Sequence, residues 1–421
     1  MEKFHTDNVE NILEKLHTDN MENILCRLPV ETALQAKRVC KTWRFLLRKK
    51  TDKVGLLFFF SYKNANDAHL WYGDQLKYNF SLDKMHNGNL VLNFEFTEIM
   101  LGSCNGLVCF RTGYPNLESN FLICNPLTGE VFYAPKPNKY IDPSWGPVAK
   151  SGFGYCQSTN EYKIVRIHSE TKEYHVQVYT VGGGEWRSKD SINFQEITYK
   201  ESILTSPLHS VGIYANGAIH WLHLRYRGPK YKECRHDCAI VAFDLEDENF
   251  QFLTLPRLED VKYRTFPGPN LLGPKLLGGK NLYFVDTFYD QHCTDIWAYK
   301  RTSTNTTNGC DMRENYNDKN SWHWIKEFSI EWEEQYWKYL QFFDLLSITR
   351  NDELLLRCFM TLYRYDLKTS TWNEFYDADG LGCKMINVIP HANSLVSLKD
   401  LAEGQDRQYP LDDSRVHGKY S

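Results

Sequence analysis

What most constrains this chain is a pattern that it repeats: an apolar strand, a second apolar strand, a polar turn, and a strand that leaves through an aromatic residue. FLICNPLTGEVFYAPKP from 121, IVAFDLEDENFQFLTLP from 240 and LYRYDLKTSTWNEF from 362 are the clearest second halves; HVQVYTVGGGEWRSK from 175 and DIWAYKR from 295, continuing to SWHWIKEF, are variants with other turns. Each follows another strand candidate, GLVCF at 106, YKIVRI at 162, GAIHWL at 217, NLYFV at 281 and ELLLRC at 353. The spacing of roughly 55 to 65 residues suits one four-stranded blade with its loops. GLLFFFS, HLWYG, LKYNFSL and LVLNFEF, between residues 54 and 100, supply a sixth. The pattern predicts an all-β propeller of about six blades over residues 54–398, with seven blades or an incomplete ring as alternatives. NSLVSL at 393–398 is expected to return to the first blade and remove the exposed edges.

Ahead of the strands the hydrophobic period is helical, and the boundary falls near Lys50. The chain opens on an echo, HTDNVENILEKL followed at once by HTDNMENILCRL. Met21, Ile24, Leu25 and Leu28 share a helical face in the second copy, which Pro29 stops; Val30, Leu34, Val39, Trp43, Leu46 and Leu47 follow on a helical schedule. Twelve residues rotate a helical stripe by about 120°, so one straight helix cannot offer both copies to one partner. A break near His17 to Asn20 is expected. Some forty residues bury little surface alone, and so many leucines imply a partner.

The chain is 42% hydrophobic, enough for a real core, and its net charge of -4 advertises neither nucleic acid nor an anionic membrane. No apolar run reaches the length of a bilayer span, and the first thirty residues mix charges among their leucines, unlike a signal peptide. The reading is an intracellular protein, in nucleus, cytoplasm or both, whose twelve cysteines are free thiols.

ILCRLPVETALQAKRVCKTWRFLL, from Ile24 to Leu47, resembles the F-box of plant F-box proteins: an Ile-Leu pair, Arg-Leu-Pro-Val, Val-Cys-Lys and a Trp two residues on. Downstream, GSCNGLVCF at 102, NPLTGE at 125, GFGYCQSTNEYKIVRI at 152 and GIYANGAIHWL at 212 resemble that family's associated kelch-like interaction domain. The chain departs from the family at Leu16-His17, where Leu-Pro is usual, and at Gln35-Ala36. The resemblance covers an F-box at 16–50 and the propeller at 54–398; the echo adds a duplicated extra helix at 1–15, and 399–421 is expected to be a disordered tail. The resemblance further implies a non-catalytic substrate receptor of a Skp-cullin-F-box ubiquitin ligase, which meets cullin and RING subunits through a Skp-type adaptor. The adaptor-facing residues would be Met21, Ile24, Leu25, Leu28, Pro29, Val30, Leu34, Val39, Cys40 and Trp43. A binding scaffold without a ligase role and a propeller enzyme are the alternatives.

Other signals carry less. GSCNG puts Cys104 where a nucleophile elbow has its nucleophile, but a strand follows instead of a helix. GGG at 182 lacks the Lys and helix of a phosphate loop and is read as a hairpin turn. CRHDC at 234 has half of a zinc site and no second pair nearby. No catalytic residue, metal or cofactor is expected. For an unknown target protein, loops joining aromatics to arginines are the candidates, with Arg225, Tyr226, Arg227, Phe266, Trp332, Tyr336 and Trp337 as contact residues.

Overall fold

The computed structural model describes residues 18–28, 30–47, 54–62, 67–73, 86–93, 99–112, 120–137, 150–170, 173–192, 211–225, 237–256, 275–279, 281–288, 291–301, 322–334, 343–349, 351–377 and 383–403. Three short helices come first: α1 (Thr18–Leu25), α2 (Val30–Ala36) and α3 (Lys41–Leu47). Strands follow. β1 (Gly55–Tyr62), β2 (Asp67–Gly73) and β3 (His86–Asn93) lie in the first blade; β4 (Ile99–Cys104), β5 (Leu107–Thr112), β6 (Asn120–Cys124) and β7 (Val131–Tyr133) make the second. The third has β8 (Lys150–Cys156), β9 (Glu161–Glu170), β10 (Glu173–Thr180) and β11 (Arg187–Ile192); the fourth has β12 (Ile213–Ala215), β13 (Ala218–Arg225), β14 (Asp237–Asp244) and β15 (Phe250–Leu253). The fifth takes β16 (Lys275–Leu277), β17 (Leu282–Phe288), β18 (Cys293–Arg301) and β19 (Trp322–Glu331). The sixth takes β20 (Phe343–Ile348), β21 (Glu353–Cys358), β22 (Thr361–Asp366) and β23 (Thr371–Asp377). β24 (Cys383–His391) and the helix α4 (Leu398–Glu403) end the described chain. Among the described residues the strands thus form six antiparallel four-stranded sheets, a β-propeller.

The ring closes on β24, which pairs along the whole of β1, Gly55 opposite His391 through Tyr62 opposite Cys383. NSLVSL, expected to be the closing strand, instead follows it as an extended strap leading into α4. CKMINVIPH has the longer alternating stretch, whereas Ser394 and Ser397 are polar and bond to Asn105 and Glu130 in the turns of the second blade. The tail reading changes as well: residues 399–403 are helical, and 404–421 lie outside the described residues, as do 1–17 with the first echo copy. No break appears within Thr18–Leu25. No helix among the described residues is long and apolar enough to cross a membrane.

The repeats have a local chemical cause. Asn125, Asp244 and Asp366 each turn their own chain: one side-chain oxygen accepts from the backbone N–H groups two and three residues on, at 2.8 to 3.3 Å. The inner hairpins use Asn105, Asn160, Asn216 and Asp352 in the left-handed region, with φ between 43° and 62°, where Asn and Asp are tolerated better than branched residues. Between the turns, side chains such as Leu57, Phe58, Phe59 and Phe60 are fully buried on both faces of β1. Each contributes roughly 1.5–3 kcal/mol of transfer free energy.

Three sequence readings meet the structure here. Cys104 is buried, and burial raises its thiol pKa well above the usual value, which disfavours the nucleophilic thiolate. The GGG segment is the turn between β10 and β11, with Gly182 at φ 87°. Of CRHDC, only Asp237 and Cys238 are described; no cluster of three possible metal ligands occurs among the described residues.

Candidate functional site: a helical module seated on the propeller

The helical module settles its own core first. Met21 and Leu25 of α1, Ala33 and Ala36 of α2, and Leu46 and Leu47 of α3 are buried together with Leu395 of the strap; Leu28, Leu34, Trp43 and Leu127 pack around them. Cys40 caps α3, its carbonyl accepting from Arg44 N–H at 3.1 Å and its Sγ from Trp43 N–H at 3.5 Å. The cluster therefore joins helices to propeller. Lys37 adds a polar clasp, donating to the Leu395 carbonyl at 2.7 Å. Burial lowers its pKa while Asp400 and Glu130 pull the other way.

The strap is pinned in turn. Asn125 donates to the carbonyls of Ser394 and Val396 at 3.0 and 2.7 Å, and Glu130 accepts from Ser397 Oγ and from Leu398 N–H at 3.0 and 2.6 Å. Ser394 Oγ donates to the Asn105 carbonyl at 3.1 Å, so close to Gly106 (φ 88°) that a Cβ there would lie 1.7 Å from that oxygen. Asn125→Ala strands two carbonyls and two turn N–H groups. Its expected cost is about 2–4 kcal/mol, read as a fall in the denaturation midpoint; an unchanged midpoint would show that the strap is held by other means.

Three large apolar side chains remain on the outside of the module among its polar ones. Ile24 is 55% exposed, Val39 60% and Phe45 60%. Of the ten residues expected to face an adaptor, Met21 and Leu25 instead serve the internal core, while Leu28, Leu34 and Trp43 are half-buried and Ile24, Val39 and Cys40 are exposed. Pro29 and the Val30 side chain lie outside the described parts. Sequence reasoning missed Phe45, because it falls out of phase with Leu46 and Leu47; that phase difference was the available signal.

The target candidates fare differently. Trp332 is 5% exposed and wedged between the fifth and sixth blades, with Tyr365 and Trp372 ring centroids both at 5.5 Å, and its Nε1 donates to Thr294 Oγ1 at 2.8 Å. Its reading as a target contact is corrected: the indole is core. Arg225 ends β13, its side chain outside the description; Tyr226, Arg227, Phe266, Tyr336 and Trp337 lie outside the described residues.

The inner strands β4, β8, β12, β16, β20 and β24 surround a cavity of about 1660 Å³. They run in one direction: Ser151 and Val211 form a parallel bridge, Lys275 meets Asp344 near the starts of β16 and β20, and Ser347 Oγ donates to the Gly278 carbonyl near their ends. At Asp344 burial would raise the carboxyl pKa, but Lys275 and then Arg357 outweigh it and hold the carboxyl below its usual range. Ser103 Oγ lies 2.7 Å from His391 Nδ1. That is half of a nucleophile pair, yet no carboxylate bonds this imidazole among the described residues.

Burial lowers His391 to about 4, against a weak opposing pull from Asn393, and lowers His220 likewise to about 4. Both imidazoles are neutral in the folded state and take up protons first when unfolded, below about pH 6.5. Stability is therefore lost as pH falls from 6.5 toward 4, by about 2 kcal/mol per imidazole at pH 5. Melting curves at pH 7 and pH 5 test this, with His391→Asn expected to flatten the dependence; equal midpoints would refute it.

A β-propeller carrying a small helical module with exposed apolar side chains is, as a class, a two-part interaction protein. This chain belongs to the F-box associated beta propeller domain family, whose signature matches residues 44–266, while the F-box domain signature matches residues 9–54. Its relatives include three Arabidopsis thaliana proteins. The F-box protein At5g07610 is 24% identical over 298 residues, 66% of each chain. The F-box/kelch-repeat protein At3g23880 is 23% identical over 246 residues, 55% of this chain and 62% of that one. The F-box protein At3g07870 is 24% identical over 345 residues, 72% of this chain and 70% of that one. The chain thus spans slightly under two thirds of the first two relatives.

Proposed function

We propose that this protein is a non-catalytic substrate receptor of a Skp-cullin-F-box ubiquitin ligase. The helices bind a Skp-type adaptor, which brings cullin and RING subunits, and the propeller presents a target for ubiquitin transfer. The observation that carries this reading is the apolar exposure of Ile24, Val39 and Phe45 on a module whose core is already complete. Exposed apolar side chains grouped on one small module mark an interaction surface.

Topology supports a division of ends. The helices and strap sit at the propeller end that carries the turns at Asn105 and Asn125. The end of β13 and start of β14, the end of β15 and start of β16, and the end of β19 and start of β20, which flank the target candidates of the sequence, lie at the opposite end. A target bound there lies across the propeller from the adaptor. The fixed seat of Leu395 and Lys37 holds the two at a set orientation, as transfer to a positioned lysine requires.

Co-purification of the full-length chain with a Skp-type adaptor tests the reading. Capture of the adaptor, lost on substitution of the exposed module residues, is the expected result. Failure to capture it would leave a kelch-like binding scaffold without a ligase role.

A further inference from the structure

Between the second and third blades, basic side chains converge. Arg166 of β9 stands opposite Ser151 of β8 and Gln177 of β10, with His168 and His175 paired one step along the same face, ring centroids 5.4 Å apart. Arg111 reaches across from β5 and donates to Ser151 Oγ at 3.4 Å. Arg166 is 4% exposed and Arg111 5%, and Ser151 and Gln177 are buried with them.

Arg166 is the unusual member. Its Nη1 reaches Gln177 Oε1 only at 3.5 Å, and its Nε is buried without a hydrogen-bond partner. Burial lowers its pKa to about 10, as does Arg111 nearby, so it stays a cation at neutral pH. No carboxylate among the described residues bonds to Arg166, and a buried cation left in that state is among the costliest arrangements a fold can retain. Two other buried cations of this chain are paired with carboxylates: Lys163 sits 3.0 Å from Glu248 and Arg364 3.3 Å from Glu353.

We propose that the buried cluster of Arg166 and Arg111, between the second and third blades, is an oxyanion-binding site that takes a carboxylate or phosphate group. Guanidinium forks match the paired oxygens of such groups, and the Ser151 hydroxyl and Gln177 amide add neutral donors. The site stands independently of the ligase reading. Its oxyanion can come free from solution or be carried on an acidic side chain, and the chemistry recognised is the same.

Melting of the full-length protein in sodium phosphate, against sodium chloride at equal ionic strength, tests the site. The expected result is a saturable rise in melting temperature with phosphate that chloride does not reproduce. Arg166→Met should raise the half-saturating concentration by about tenfold or more, Arg166→Lys by less, and Lys399→Gln on the exposed face of α4 not at all. Stronger saturation by O-phosphoserine than by inorganic phosphate would mark a side-chain-borne anion, and the reverse order a free one. Identical responses of the wild-type protein to phosphate and chloride would overturn the proposal even if Arg166→Met fails to fold. A phosphate response that survives in Arg166→Met would overturn it equally.

Discussion

Placing aspartate at both Ile24 and Val39 should abolish capture of a Skp-type adaptor while leaving the propeller as stable as before. Ile24 is 55% and Val39 60% exposed, so neither contributes much to the module's own core. Substitutions at such surface positions usually change stability by less than about 0.5 kcal/mol. In a complex the same side chains would be desolvated, each worth roughly 1.5–3 kcal/mol. Aspartate removes that gain and adds a carboxylate to be buried without a partner. The expected loss of affinity is at least about 100-fold, or some 2.7 kcal/mol. Calorimetric titration with the adaptor, beside a denaturation curve of the double variant, separates the effects. Wild-type affinity in the variant would show that these residues are scattered surface apolars with no interface role. Phe45→Asp should act in the same direction, whereas Leu25→Asp should unfold the module, because Leu25 is buried within it.

Trp332→Ala should be among the most damaging single changes in the propeller. The indole fills the seam between two blades, contacts Tyr365 and Trp372, and satisfies Thr294, while its own backbone N–H donates to the His292 carbonyl at 2.9 Å. Truncating a buried Trp costs about 3–5 kcal/mol through lost burial and the cavity left behind. Trp332→Phe, which keeps most of the volume but drops the bond to Thr294, should cost less. Urea denaturation followed by far-ultraviolet circular dichroism reads both. Full stability in the alanine variant would return Trp332 to the role of an exposed contact.

Which parts of this molecule were legible in advance follows from how local each rule is. An Asn or Asp that turns its own chain needs only the next three residues, so the blade repeat at Asn125, Asp244 and Asp366 could be read directly. The helical schedule from Met21 to Leu47 was equally local, as was the order of motif residues that resembles an F-box. Ring closure was not local. Two late segments alternate apolar residues, and the choice of β24 over NSLVSL is a pairing with β1, more than three hundred residues away in sequence, that no local rule fixes.

The sequence by itself determined the two-part plan, the blade repeat and the residues of its turns, because these rest on spacing and on bonds within a few residues. Only the tertiary structure decided which apolar residues are offered outward. Met21, Leu25 and Ile24 share one helix, but Leu395, from the far end of the chain, helps cover the first two and leaves the third exposed. The same holds for Trp332, a core residue, and for Arg166, a buried cation beside another blade's arginine: burial depends on what packs against a side chain, and those neighbours come from distant sequence.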